Sequence, residues 1–172
     1  MRGNTKERLL EFLRKNSEDR AVLANLRCAL KETQKHRAWP VLARFGGIDD
    51  HTKKYDHEAK VIQTVAGLFG VYSQNDSRRD FGLSCRDLMR DDEKLSDPKD
   101  VGPVAKRFQY LLASEREEIC DRVIRFVLRM KAQNIAVNYD DLFDGLLYWG
   151  DKIKTKWAGS FWNVSGLEEV IG

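Results

Sequence analysis

The chain has 172 residues, enough for one sizeable helical core or two small ones sharing an interface, and too few for several independent domains. Charged residues make up 33% against 42% hydrophobic, which leaves apolar material for a core and excludes wholesale disorder. The formal net charge is only +3, so the total by itself points to no polyanionic partner and only its distribution can do so.

Helical periodicity dominates from the amino terminus onward, and alternating strand patterns are scarce. Asn4 followed three residues later by Glu7 reads as a capping box opening a first helix whose apolar side is Leu9, Leu10, Phe12 and Leu13. A second helix is expected over 19–34, with Val22, Leu23, Leu26 and Leu30 at helical spacing. Pro40 and the pair Gly46-Gly47 bound a short apolar turn, and the polar stretch 49–57 reads as a loop. The strongest pattern covers 58–72, where Val61, Ile62, Val65, Leu68, Phe69 and Tyr72 make a broad apolar face. A shorter helix over 81–90 precedes a charged stretch, 91–103, with two prolines and a glycine, the best candidate linker in the chain.

Beyond the linker, 104–112 reads as a helix, and Ser114 with Glu117 forms a second capping box that starts a long helix to Gln133. Asn138 caps a helix running to Trp149, Gly150-Asp151 breaks and recaps, and Ile153, Trp157 and Phe161 give the last helix one apolar stripe. The expected architecture is all-α: two packed helical lobes, 1–96 and 97–172, forming a helical bundle.

Cys28, Cys85 and Cys120 are odd in number and far apart, which fits neither a disulfide framework nor paired zinc ligands, and implies a reducing compartment. The amino-terminal segment lacks the apolar core of a signal peptide, and no stretch is long and apolar enough for a membrane span, so a soluble, cytoplasmic protein is expected.

Positive charge is localised. Residues 101–139 carry 7 basic against 4 acidic side chains, whereas 76–100 carry 6 against 8 and 140–151 carry only four aspartates. On the second expected helix, Arg20, Arg27, Lys31 and Lys35 fall within a narrow arc. Like charges at that spacing cost a few tenths of a kcal/mol per pair, a cost that an external anion such as phosphate would offset. A solvated face, or pairing with acids from another helix, accounts for the same stripe.

Arg122, Arg125 and Arg129 form a second stripe on the long helix, where Glu118 precedes Arg122 by four and Asp121 precedes Arg125 by four, the favourable order for ion pairs within a helix. Lys106, Arg107, Lys152, Lys154 and Lys156 have no close acid in sequence except Asp151 and are the better candidates for phosphate contacts. Exposed aromatic rings stack bases in single-strand recognition. Of the aromatics crowding the carboxyl end, Trp157 and Phe161 read as core anchors, and Tyr148 and Trp162 as the exposed ones.

Catalytic chemistry has little to stand on. There is no glycine-rich phosphate loop, metalloprotease helix or nucleophile elbow. Asp49, Asp50, His51, Asp56 and His57 mix metal-ligand types, but their spacing matches no recognised geometry and a solvated loop is the preferred reading. No enzymatic activity, cofactor or metal is expected.

The order and spacing of several motifs carry a family resemblance. Lys106-Arg107-Phe108-Gln109-x-Leu111-Leu112, Arg122-x5-Leu128, Tyr139-x2-Leu142-x3-Leu146-x2-Trp149-Gly150, and Lys152 and Lys154 before Trp157 and Phe161 resemble the CasB family, the small subunit of the type I-E CRISPR Cascade. Leu26-Arg27-x2-Leu30, Ala38-Trp39-Pro40 with Phe45, Leu68-Phe69 and Phe81-Gly82 agree in outline. The resemblance implies a two-lobed helical protein without enzymatic activity, present as two copies beside other Cascade subunits. Its basic surface would support guide RNA and target DNA and hold the displaced strand. Arg27, Lys106, Arg107, Arg122, Lys152 and Lys154 would occupy usual basic positions, with Lys53 or Lys54 at a further one. The family often has two adjacent arginines where this chain has Arg27-Cys28; Lys31 follows one turn on. The alternative from a different class is a helical protein-protein scaffold that makes no direct nucleic-acid contact.

Overall fold

The structure, a computed structural model, describes residues 2–94, 97 and 101–162, and these form helices and connecting turns with no strand among them. Helix α1 (Arg2–Lys15) buries Leu9, Leu10 and Leu13 and ends on Arg14 and Lys15, which complement the negative end of the helix dipole. It already runs from Arg2, so Asn4 lies inside the helix rather than capping it.

Helix α2 (Arg20–Arg27) starts at Asp19, whose carboxylate accepts from the Val22 N–H at 3.1 Å. It stops well short of the expected end at 34. A 3-10 turn over Cys28–Leu30 follows, and Lys31 is extended (φ −116°, ψ 122°). Tertiary packing replaces the helical period here, because Gly67 and Gly70 on the facing helix let α2 approach closely. A Cβ on Gly70 would lie 2.7 Å from the Leu23 carbonyl oxygen, and one on Gly67 would lie 2.6 Å from the Leu30 side chain.

A 3-10 turn over Lys35–Arg37 leads into the short helix α3 (Trp39–Leu42), where Pro40 sits in the first turn and its missing N–H costs nothing. Gly46, at φ 79°, ends the following 3-10 turn Ala43–Phe45 in the left-handed region. Helix α4 (His57–Val71), capped by Asp56 accepting from the Ala59 N–H, is buried on nearly all sides and is the central element.

Helix α5 (Phe81–Arg86) is capped by Asp80. The expected linker falls partly outside the described residues; its described start forms α6 (Asp91–Lys94). Glu93 accepts from the N–H groups of Val104 and Ala105 at 3.0 and 3.1 Å, satisfying free donors at the start of α7 (Pro103–Leu112).

Helix α8 (Ile119–Ala132) begins one turn later than the capping box at Ser114 suggests. Glu118 rather than Glu117 reaches back, to the Glu115 N–H at 3.0 Å, and Ser114 Oγ is taken by an arginine instead. Asn134 closes α8 in the left-handed conformation (φ 58°), with the Ile135 N–H on the Met130 carbonyl at 2.9 Å. Asn138 caps α9 (Tyr139–Leu147) as the sequence predicts, and α10 (Asp151–Phe161) completes the described chain.

Helices from both sides of position 96/97 pack on one another. Helix α4 lies against α2, α8 and α9, and α5 against α10. Lys6 and Arg14 of α1 pair with Asp144 and Asp140 of α9. The buried side chains form one hydrophobic core across that position.

Candidate nucleic-acid interface

Helices α7 and α8 are amphipathic, and their polar faces meet. On α7, Ala105, Phe108 and Leu111 turn into the core, which leaves Lys106, Arg107 and Tyr110 on the opposite side. On α8, Val123, Phe126, Val127 and Met130 are buried beside Arg122, Arg125 and Arg129. Between the two faces lies an open groove of about 560 Å³ lined by Lys106, Arg107, Tyr110, Arg122, Arg125 and Arg129, with Asp121 its one acidic side chain among the described residues. The three α8 arginines span about 10 Å of helix. Five of the expected site residues therefore converge on one concave surface.

The five cations are not equivalent. Arg122 is half-buried and engaged: Nη1 donates to Ser114 Oγ at 3.1 Å, Nη2 pairs with Glu118, and the guanidinium lies over the Tyr110 ring at 4.4 Å. The Glu118–Arg122 pair follows the order read from the sequence. The Asp121–Arg125 pair does not form; Asp121 is bound instead by Lys60 of α4 at 3.1 Å. Among the described residues Lys106, Arg107, Arg125 and Arg129 make no ion pair, and all four are exposed.

The remaining expected residues lie elsewhere. Arg20 and Arg27 are exposed on α2, but the stripe they were to share with Lys31 and Lys35 is broken by the turn at Cys28–Leu30. Lys35 is held by Glu32 and Asp49, both at 3.1 Å. Lys53 and Lys54 are exposed in the loop before α4, near Asp50, whose carboxylate is held below its usual range by the Thr52 hydroxyl and backbone N–H. On α10, Lys152 is exposed, Lys154 lies 5.5 Å from the centre of the Trp149 ring, and Lys156 is bound to Asp141.

Asp141 is a buried hub in the first turn of α9. It also accepts from the Phe81 N–H at 2.8 Å and from Trp157 Nε1 at 3.1 Å. Lys156 is thus tied to the joint between α5, α9 and α10.

Trp157 and Phe161 are fully buried, Tyr148 and Trp162 are exposed, and Trp149 is half-buried with its Nε1 donating to the Ser114 carbonyl at 2.8 Å. Tyr110 is the residue missed by sequence reasoning. It follows Lys106 by four and Arg107 by three, so it shares their helix face, and it is 64% exposed.

In the aspartate-histidine cluster, His57 and Asp56 are held by contacts within the fold. His57 is buried; Nε2 donates to the Leu146 carbonyl at 2.7 Å, which leaves Nδ1 to accept from the Tyr55 hydroxyl at 2.9 Å. Asp56 caps α4 and accepts from the Asp50 N–H at 3.0 Å. Among the described residues no three histidine, cysteine, aspartate or glutamate side chains are grouped as a metal ion requires. Burial pushes the Cys120 thiol up to about 12 and Cys85 well above its ordinary value, which keeps both in the unreactive protonated form. Among the described residues no helix is long and apolar enough to cross a membrane.

Residues 22–162 match the family model described as CRISPR-associated protein Cse2. The fold is similar to that of CasB from Thermus thermophilus, with a TM-score of 0.70 at 21% identity, covering 92% of this chain and 97% of that one. CasB from M. ruber superposes with a TM-score of 0.68 at 24% identity, covering 98% of each chain. A chain of a CRISPR RNA-guided surveillance complex gives 0.74 at 15% identity over 100% of both. No curated protein sequence matches the chain.

Proposed function

This chain belongs to the CRISPR-associated protein Cse2 family, and from that premise we propose that it is a non-catalytic subunit of a Cascade-type, RNA-guided surveillance complex whose α7–α8 groove holds nucleic-acid backbone. In that assembly it sits beside other Cascade subunits and a second copy of itself. Its basic surface supports the guide RNA paired to target DNA and retains the displaced DNA strand.

The observation that carries this reading is the set of four exposed cations, Lys106, Arg107, Arg125 and Arg129, that line one groove and make no ion pair among the described residues. Like charges gathered in this way are unfavourable in the free protein, and a phosphate chain offsets them. The task needs no more than a modest patch. Exchange of a DNA duplex for an RNA–DNA duplex is nearly balanced in energy, and a few backbone contacts tip it, while pairing with the guide carries the sequence information.

Replacing Lys106 and Arg107 together by glutamate is the test. The complex should still assemble, and the displaced strand should be released at lower salt than in the wild type. Unchanged retention overturns the groove assignment. Failure to assemble in the absence of nucleic acid favours a protein-protein scaffold, with acidic patches on neighbours as the partners of these cations.

A further inference from the structure

Tyr110 is the one exposed aromatic residue among those lining the basic groove, and its position is not incidental. The Arg122 guanidinium lies over one face of the ring, 4.4 Å from its centre, and is itself held by Ser114, which is fully buried, and by Glu118. Arg122 Nη2 also reaches the Tyr110 hydroxyl at 3.4 Å, and with the guanidinium against it Tyr110 still lines the groove and is 64% exposed, which leaves ring surface open to a ligand. Arg122 already has a carboxylate partner, so it adds little free charge for phosphate. It serves instead as fixed backing for the ring.

We propose that Tyr110, backed by Arg122, is a base-stacking platform, and that the groove therefore takes unpaired single-stranded nucleic acid in preference to a duplex. This rests on the reading above that the groove binds nucleic acid, and adds what kind. The four free cations attract phosphates of any strand. A ring can stack only on a base whose face is free, and in a duplex the faces are covered by neighbouring base pairs. Stacking is indifferent to which base is presented, as a support for a displaced strand of arbitrary sequence must be. Tyr110 is then a binding residue and Arg122 a positioning residue.

The experiment uses the full chain and four probes of equal length: oligo(dT), oligo(rU), an abasic deoxyribose-phosphate strand and a DNA duplex. Tyr110→Leu should weaken binding of oligo(dT) and oligo(rU) by about 5- to 150-fold. It should leave the abasic strand, the duplex and the salt dependence as in the wild type, and Tyr110→Phe should bind oligo(dT) nearly as tightly as wild type. Equal affinity of Tyr110→Leu and wild type for oligo(dT) overturns the platform. So does an equal loss on all four probes, which would mark a general disturbance of the groove. Failure of the underlying reading looks different: wild type would show no salt-dependent binding to any probe, and charge reversal at Lys106 and Arg107 would change nothing.

Discussion

Lys60 of α4 and Asp121 of α8 form an ion pair at 3.1 Å, so the acid that stands nearest Arg125 along its own helix is turned toward the central helix of the fold. Asp121 stands four residues before Arg125, the order that favours a pair within the helix. Here it meets Lys60 instead, and among the described residues Arg125 makes no ion pair.

Replacing Lys60 by methionine should therefore release Asp121 toward Arg125 and weaken single-strand binding, about 2- to 5-fold for a partly exposed pair. Asp121→Asn, which removes the one negative charge lining the groove, should strengthen binding by a similar factor. Fluorescence anisotropy with a labelled oligonucleotide at low salt reads both effects, and thermal unfolding should show changes within about 1 kcal/mol. A Lys60→Met variant that binds more tightly would contradict the pairing.

If the four free cations each contact one phosphate, the logarithm of the binding constant should fall against the logarithm of salt with a slope of about −3. Arg125→Gln and Arg129→Gln should each reduce that slope by about 0.7, the value for one lost contact on a single strand. Lys156→Met should leave it unchanged, since Lys156 is bound to Asp141 at a different joint. A smaller slope for Lys156→Met would bring α10 into the binding surface.

Asp141→Ala should destabilise the protein by about 2 to 5 kcal/mol, because it strands the buried Phe81 N–H and Trp157 indole N–H, while the exposed Lys156 ammonium returns to water. Asp141→Asn keeps an acceptor oxygen for one of these groups and should cost less. Urea unfolding measures the difference.

Burial lowers the pKa of His57 below the ordinary histidine value of 6.5. The unfolded chain then binds the proton more readily than the folded one. This contribution to stability is complete above pH 6.5, is lost as the pH falls below it, and levels off once the folded imidazole also protonates. Melting temperature should fall between pH 7.5 and 5, and His57→Gln, which does not titrate, should show a smaller fall. Equal pH profiles for the two proteins would place the titrating group elsewhere.

The helices were legible because each carries its own local pattern: apolar residues at three- and four-residue spacing, Asn138 before a run of aspartates, and a proline-bearing stretch before α7. The same periodicity put Lys106 and Arg107 on the polar face of one helix and Arg122, Arg125 and Arg129 on that of another, whereas their meeting in one groove came from packing. Fold class and the basic character of each helix face were thus within reach of the sequence. Where α2 ends, which acid Arg125 meets, what Lys156 binds and how Tyr110 is backed were decided only by tertiary packing. Each depends on a partner distant in sequence: Gly67 beneath Leu30, Lys60 beside Asp121, Asp141 at the α5–α10 joint, Ser114 and Glu118 around Arg122. Helical spacing states which face a side chain occupies; charge and stacking partners are chosen by the neighbours that packing brings to that face.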